Sequence, residues 1–261
     1  MSKRRSAATR GIGVDIGGSG IKGAAVDLAA GAFDGERVRI ETPDPSTPEA
    51  VVAVVAEIVA ELAARDPRDA EGPVGVTFPA VITHGVARTA ANVDESWIGA
   101  DVARLVGEAT GRPVHAVNDA DAAGVAEAHY GAAREADGVV LVATLGTGIG
   151  SALIVDGVLV PNTELGHLEI DGHDAERRAS DGARKREDLS WEHWARRLQR
   201  YFGTVEDLLW PDLIVVGGGV SKRHEHFLPL LHLRAPIVPA QLRNDAGIIG
   251  AALLAQESLG V

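Results

Sequence analysis

Apolar residues fall along this chain in short blocks that alternate between two periods. Continuous runs bounded by glycine, proline or aspartate read as buried strands at 11–16, 21–28, 74–78, 114–117, 139–145 and 213–216. Between them the period lengthens to about 3.6 residues, the mark of a helix with one buried face. Thr47-Pro48-Glu49 supplies an N-cap, a proline at the first helical position and an early acid, and Val51, Val54, Val55, Ile58, Val59 and Leu62 then share a face. Further helices are predicted over 100–110, closed by Gly111, and over 120–129, 190–202 and 246–256. Runs 151–155 and 158–160 flank Asp156-Gly157, a two-residue hairpin signal.

Three glycine-rich loops follow strands: Asp15-Ile16-Gly17-Gly18-Ser19-Gly20-Ile21-Lys22, Leu145-Gly146-Thr147-Gly148-Ile149-Gly150 and Val216-Gly217-Gly218-Gly219-Val220-Ser221. Glycine lets backbone N–H groups approach and surround a phosphate. Gly17, Gly18, Ser19, Gly20, Gly146, Thr147, Gly148, Gly218 and Gly219 are therefore candidate phosphate ligands, with Lys22 as a compact cation. Asp15 is an oxygen donor for a phosphate-bound Mg²⁺, through water. Gly18-Ser19-Gly20-Ile21-Lys22-Gly23, with Glu41 further on, also matches a dinucleotide-binding fingerprint. That reading requires a helix at the glycines, whereas 21–28 reads as a returning strand, and it leaves Asp15 and the other two loops without a role. Each half of the chain starts strand–glycine turn–strand and continues with helices. This implies two α/β lobes around a cleft, a small one from 11–117 with 245–261 and a large one from 118–244, behind a loose tail at 1–10.

Composition narrows the partners. A net charge of −12 argues against duplex nucleic acid, whose binding requires neutralised phosphates. With no cysteine there is neither a disulfide framework nor a thiolate metal site, which fits a reducing, cytoplasmic setting. No apolar run is long enough to span a bilayer, and no secretory leader is expected. The charge is uneven. Arg177, Arg178, Arg184, Lys185, Arg186, Arg196, Arg197 and Arg200 crowd into one segment with Glu187, Asp188 and Glu192. Such a run ordinarily makes a solvated helix face, and otherwise a landing strip for a polyanion.

Val117-Asn118-Asp119-Ala120 places an amide and a carboxylate where a strand gives way to a helix, and N-capping is the ordinary role of such residues. Asn92 and the segment Asn162-Thr163-Glu164-Leu165-Gly166-His167 widen the picture. Asn92, Asn118, Asp119, Glu164 and His167 form a set suited to hydrogen-bonding several hydroxyls, as a sugar requires.

The glycine loops, the Asn118-Asp119 pair and Glu164-Leu165-Gly166-His167 resemble the ROK sugar kinases, of the actin/hexokinase/Hsp70-like ATPase (ribonuclease H-like) fold. Thr77-Phe78-Pro79-Ala80, Thr89-Ala90-Ala91-Asn92-Val93-Asp94, Glu164-Leu165-Gly166-His167-Leu168-Glu169 and Leu242-Arg243-Asn244-Asp245-Ala246-Gly247 look like the actinobacterial polyphosphate glucokinases. The resemblance implies transfer of a phosphoryl group from inorganic polyphosphate, with ATP as a second donor, to the 6-hydroxyl of glucose. Asp119 would be the general base, Asn92, Asn118, Glu164 and His167 would hold the sugar, and Mg²⁺ and a homodimer are implied. Many ROK proteins carry a cysteine-rich zinc motif after this histidine. Here there is no cysteine, and His173 and Asp174 make no familiar tetrahedral spacing with His167, so no zinc is expected. Arg184, Lys185 and Arg186 are the densest candidates for a polyphosphate track. Alternatives are an ATP-dependent kinase for mannose or N-acetylmannosamine, and a non-catalytic sugar sensor on the same fold.

Overall fold

The computed structural model describes residues 10–90 and 93–259. The chain divides into two compact units, one running to Ala123 and resuming at Gly247, the other Gly124–Ala246.

In the first unit, β1 (Arg10–Gly17) and β2 (Gly20–Asp27) form an antiparallel hairpin about the first glycine loop, with Asp15 opposite Lys22. A strand follows these glycines, which removes the dinucleotide-binding reading. The short strands β3 (Ala32–Phe33) and β4 (Val38–Ile40) both pair with β2. β5 (Val74–Phe78) lies parallel to β1. The two-residue strands β6 (Ile82–Thr83) and β7 (Val86–Ala87) form a separate ribbon, and β8 (Val114–Asn118) continues the main sheet parallel to β5. The order is β3-β2-β1-β5-β8, with β4 on β2.

The helix α1 (Pro48–Arg65) begins at the predicted cap, where the Thr47 hydroxyl accepts from Ala50 N–H. It buries Val51, Val55, Ile58, Val59 and Leu62 against this sheet's core. Asp101 caps α2 (Val102–Thr110), so that helix starts two residues later than its pattern suggests. Arg10 corrects the expected tail. It belongs to β1, and its guanidinium holds the buried Asp69 carboxylate at 2.6 and 2.9 Å. The rest of that tail lies outside the described residues.

α3 (Asp119–Tyr130) follows β8 directly. In the second unit, β9 (Val139–Leu145) and β10 (Ile149–Val155) repeat the hairpin about the second glycine loop, and β11 (Val158–Val160) extends it across the Asp156-Gly157 turn. A ribbon of β12 (Glu169–Ile170) and β13 (His173–Asp174) leads into the short helices α4 (Ala175–Ala179) and α5 (Asp181–Arg186). α6 (Trp191–Leu209) runs seven residues past its predicted end at Phe202. Gly203 weakens the helical pattern there, but Val205 and Leu209 continue the face that Trp194, Leu198, Tyr201 and Phe202 press into the core, and packing overrides propensity. β14 (Leu213–Gly217) lies parallel to β9, and β15 (Ile237–Pro239) parallel to β14, giving β11-β10-β9-β14-β15. Each sheet is thus a glycine-turned hairpin with two parallel strands added on one side.

α7 (Ala246–Leu259) returns the chain to the first unit. It packs with no room for side chains at three contacts. A Cβ at Gly13 would lie 2.0 Å from the Ile248 carbonyl oxygen, one at Gly75 1.9 Å from that of Ala251, and one at Gly250 1.8 Å from that of Ala122. Among the described residues, no helix is long and apolar enough to cross a membrane.

Candidate active site

In the first unit, Asp15 sits near the end of β1 beside the glycine turn. Its carboxylate accepts from the Thr77 hydroxyl at 2.8 Å and from Lys22 Nζ at 3.2 Å. Lys22 is therefore held at the loop by a charge partner, as a cation destined for a phosphate oxygen would be. Gly18 and Ser19 are exposed at the tip, Gly17 and Gly20 close the turn, and the Thr42 hydroxyl donates to the Gly17 carbonyl. Arg39, which no sequence signal marked, reaches the Ser19 carbonyl at 3.3 Å and adds a second cation. A Cβ at Gly247 would stand 3.8 Å from Asp15 Oδ1, so the first turn of α7 lies over this carboxylate.

Asn118 serves as a cap. Its Oδ1 accepts from the N–H groups of Ala120 and Asp121 at 2.8 and 3.1 Å, and its amide donates to the Ala80 carbonyl at 3.0 Å. What it retains for a ligand is a single amide N–H. Rigid use of Asn118 leaves Asp119 exposed at the first turn of α3, its Oδ1 2.9 Å from Ala120 N–H, where the helix terminus favours a carboxylate. Asn92 lies outside the described residues.

In the second unit the other two glycine loops line one cavity of about 580 Å³. Gly146 and Thr147 come from the second loop and Gly219 from the third. Gly218 holds φ at +80°, and a Cβ there would sit 2.3 Å from the Leu145 carbonyl oxygen, so only glycine lets the third loop turn against the second. Gly148 closes the second loop, its carbonyl accepting from Gly146 N–H at 3.0 Å. Arg184, Lys185, Lys222 and Arg223 surround the cavity. Of these, Arg184 and Lys185 are held by the buried carboxylate of Asp181, each at 2.8 Å, and Arg184 also lies over the Trp191 ring at 4.2 Å. Arg186 does not line it; its guanidinium turns to the Arg177 carbonyl at 2.8 Å and to Glu187. Lys222 and Arg223 are exposed and in no ion pair among the described residues. They follow the third glycine loop directly in sequence, a signal that the charge run at 177–200 overshadowed.

Glu164 and His167 flank a 3-10 turn after β11, both exposed, with His167 Nε2 4.0 Å from Glu164 Oε2. His167 Nδ1 lies 2.9 Å from Asp174 Oδ2, and that bond raises the imidazole pKa above its ordinary value. Burial pushes the Asp174 carboxyl up, but its bonds from His167 and from the backbone N–H of Arg177 hold it below the usual range. Glu176, whose Oε2 accepts from Ile149 N–H at 3.0 Å, completes a triad in which one ligand atom from each residue lies within 4.8 Å of the others. The short ribbon β12–β13 brings Asp174 and Glu176 back to His167, a return no periodicity announces. His173 is not part of this cluster.

Comparison with known proteins extends these observations. Residues 11–185 match the ROK family. The chain is 49% identical over 244 residues to polyphosphate glucokinase of Mycobacterium tuberculosis (strain ATCC 25618 / H37Rv), covering 93% of this chain and 90% of that one. The crystal structure of an inorganic polyphosphate/ATP-glucomannokinase from Arthrobacter sp. strain KM superposes with a TM-score of 0.90 at 59% identity, over 95% of this chain and 98% of that one. A ROK family glucokinase from Streptomyces griseus, in complex with glucose and AMPPNP, shares the fold at a TM-score of 0.79 and 24% identity, over 95% of this chain and all (100%) of that chain.

Proposed function

The chain belongs to the ROK family, and from that premise we propose that it is a polyphosphate-dependent glucokinase, passing the terminal phosphoryl group of inorganic polyphosphate to the 6-hydroxyl of glucose. The observation that carries this is the 49% identity to a polyphosphate glucokinase across 93% of the chain. The cation-lined cavity of the second unit supports it: polyphosphate has no base or ribose to recognise, so its grip must come from charge and backbone N–H groups.

In this reading Asp119 accepts the proton of the 6-hydroxyl as that oxygen forms its bond to phosphorus and the bond to the departing phosphate chain breaks. Asn92, Asn118, Glu164 and His167 orient the sugar. Gly146, Thr147, Gly148, Gly218 and Gly219 hold donor phosphates with Arg184 and Lys185, and Gly17, Gly18, Ser19, Gly20 and Lys22 meet the transferred group. Asp15 would hold a magnesium ion through water: its oxygens each accept one bond, from Thr77 and Lys22, and each keeps a lone pair for a metal-bound water. Magnesium bound there with the donor phosphates would neutralise charge that develops on the oxygens. Zinc has no part in this scheme. The protein acts in the cytoplasm as a homodimer, without nucleic acid or membrane, which sedimentation and fractionation check.

A second reading, with ATP as another donor and mannose as another acceptor, is favoured by the 59% identity to a polyphosphate/ATP-glucomannokinase. One assay tests both: glucose and mannose phosphorylation, each with long-chain polyphosphate and with ATP, in magnesium and again in excess EDTA. Turnover of glucose with polyphosphate, lost in EDTA, is expected. No phosphorylation with polyphosphate would overturn the first reading, and full activity in EDTA the role of magnesium.

A further inference from the structure

Away from the glycine loops, the second unit holds another cavity, of about 470 Å³, which shares no lining residue with the first. Arg178 of α4 and Arg196, Arg197 and Arg200 of α6 line it, with Asp171 and Tyr201. Two of these cations are already engaged. Arg200 grips Asp171 with two bonds of 2.9 and 2.8 Å, and Arg197 reaches Glu187 at 2.6 Å and the Arg178 carbonyl at 3.0 Å. Arg178 and Arg196 are exposed and in no ion pair among the described residues. On a chain of net charge −12, this is a local excess of positive charge built into a concavity.

Tyr201 gives the second observation. It is 1% exposed, and its hydroxyl has no hydrogen-bond partner among the described residues. An unpaired buried hydroxyl costs about 1–3 kcal/mol, so it calls for a partner. Guanidinium groups only donate, and the tyrosine hydroxyl can donate, so the ligand they fit together is rich in acceptors and negatively charged. A cavity of this size is in the ordinary range for ligand pockets, about 300–1,000 Å³, and is wider than one phosphate requires.

We propose that this cavity is a second anion site, taking a short run of phosphoryl groups among Arg178, Arg196 and Tyr201, which all line it. The same chemistry could come from a distal stretch of inorganic polyphosphate or from a separate phosphorylated small molecule. A stretch of polyphosphate seated here gives the protein a second hold on a long chain, so that affinity rises with chain length.

Calorimetric titration without turnover tests the site directly, using sodium tripolyphosphate at fixed ionic strength. Two classes of site per chain are expected. Arg178→Gln with Arg196→Gln should remove one class and spare the other, while Lys185→Gln, Lys222→Gln and Arg223→Gln together should do the reverse. Tyr201→Phe should weaken the Arg178/Arg196 class about tenfold, the loss of one charge-assisted hydrogen bond, with no fall in Tm in anion-free buffer. A single class in the parent, loss of both classes in either set of variants, or unchanged binding in Tyr201→Phe would overturn the proposal. Glucose 6-phosphate competing as strongly as tripolyphosphate for that class would overturn its assignment to a phosphate chain. Since no phosphoryl transfer is measured, failure here leaves the kinase reading untouched, and the reverse holds too.

Discussion

The two units position their chemistry by different means. In the first, polar side chains around the strand ends mostly grip backbone: Asn118 caps α3 and ties to Ala80, and Thr42 holds the carbonyl of Gly17. Asp15, which holds Thr77 and Lys22, and Arg10, which holds Asp69, depart from that pattern. In the second unit carboxylates grip other side chains: Asp181 holds Arg184 and Lys185, and Asp174 holds His167. Neutral bonds to backbone give a geometry that salt and pH scarcely alter. Charge pairs give an adjustable one, suited to a long flexible polyanion but exposed to screening.

The largest effect should come from the first unit. Asp119→Asn keeps the shape of the side chain and cannot accept a proton, so kcat should fall by about 10²–10⁴ while glucose affinity and circular dichroism stay near the parent's. Turnover within a few-fold of the parent would remove Asp119 as the base.

In the second unit, Asp181→Asn should release Arg184 and Lys185 and raise the KM for polyphosphate about tenfold, equivalent to 1.4 kcal/mol, with the KM for glucose unchanged. The defect should shrink as salt rises, since screening already weakens the parent's grip. Within the expected track, Arg186→Gln should leave the donor KM alone, because that guanidinium faces Arg177 and Glu187. Parallel changes in both Michaelis constants would mean that Asp181 shapes the fold and not the donor site.

Asn118→Ala separates capping from sugar contact. Loss of the cap should cost about 1 kcal/mol. That lowers Tm by roughly 2–4 °C in a chain of this size. A raised KM for glucose with no loss of stability would show that the amide's remaining N–H matters more than the cap.

The smallest effect concerns pH. His167 has a folded pKa above its free value because Asp174 stabilises the imidazolium. A raised cationic pKa contributes stability that is fully present below the free histidine value, about 6.5, and is lost as pH climbs through the higher folded value. In an NMR titration, Asp174→Asn should bring the His167 midpoint down towards the free value. An unmoved midpoint would assign the shift to Glu164 and Glu176.

What could be read from the sequence was local. The strand over Val139–Leu145 has its predicted bounds, and both glycine hairpins stand where a loop follows an apolar run, because strand, turn and cap signals lie within a few residues of each other. The role of Glu176 depends on long-range placement against Ile149, whereas Asp181 stands three and four residues before the cations it holds, a spacing that sequence does show. The short helices α4 and α5 lay hidden in a charge run, their ends set by the Asp174 and Ser180 caps rather than by an apolar stripe. Tyr201 looks like any core aromatic in sequence; only the packing around it leaves its hydroxyl without a partner among the described residues.

The seat of α7 bears on how the polypeptide is made. Gly13, Gly75 and Gly250 fit this helix to strands and a helix encoded far upstream, so the sheet that starts the chain lacks its cover until residues 246–259 have emerged. The unit formed by Gly124–Ala246 is contiguous and is complete in the chain before the body of α7 emerges. On the ribosome the middle of this protein should therefore reach its native form before the beginning does, reversing the usual N-to-C order of domain folding.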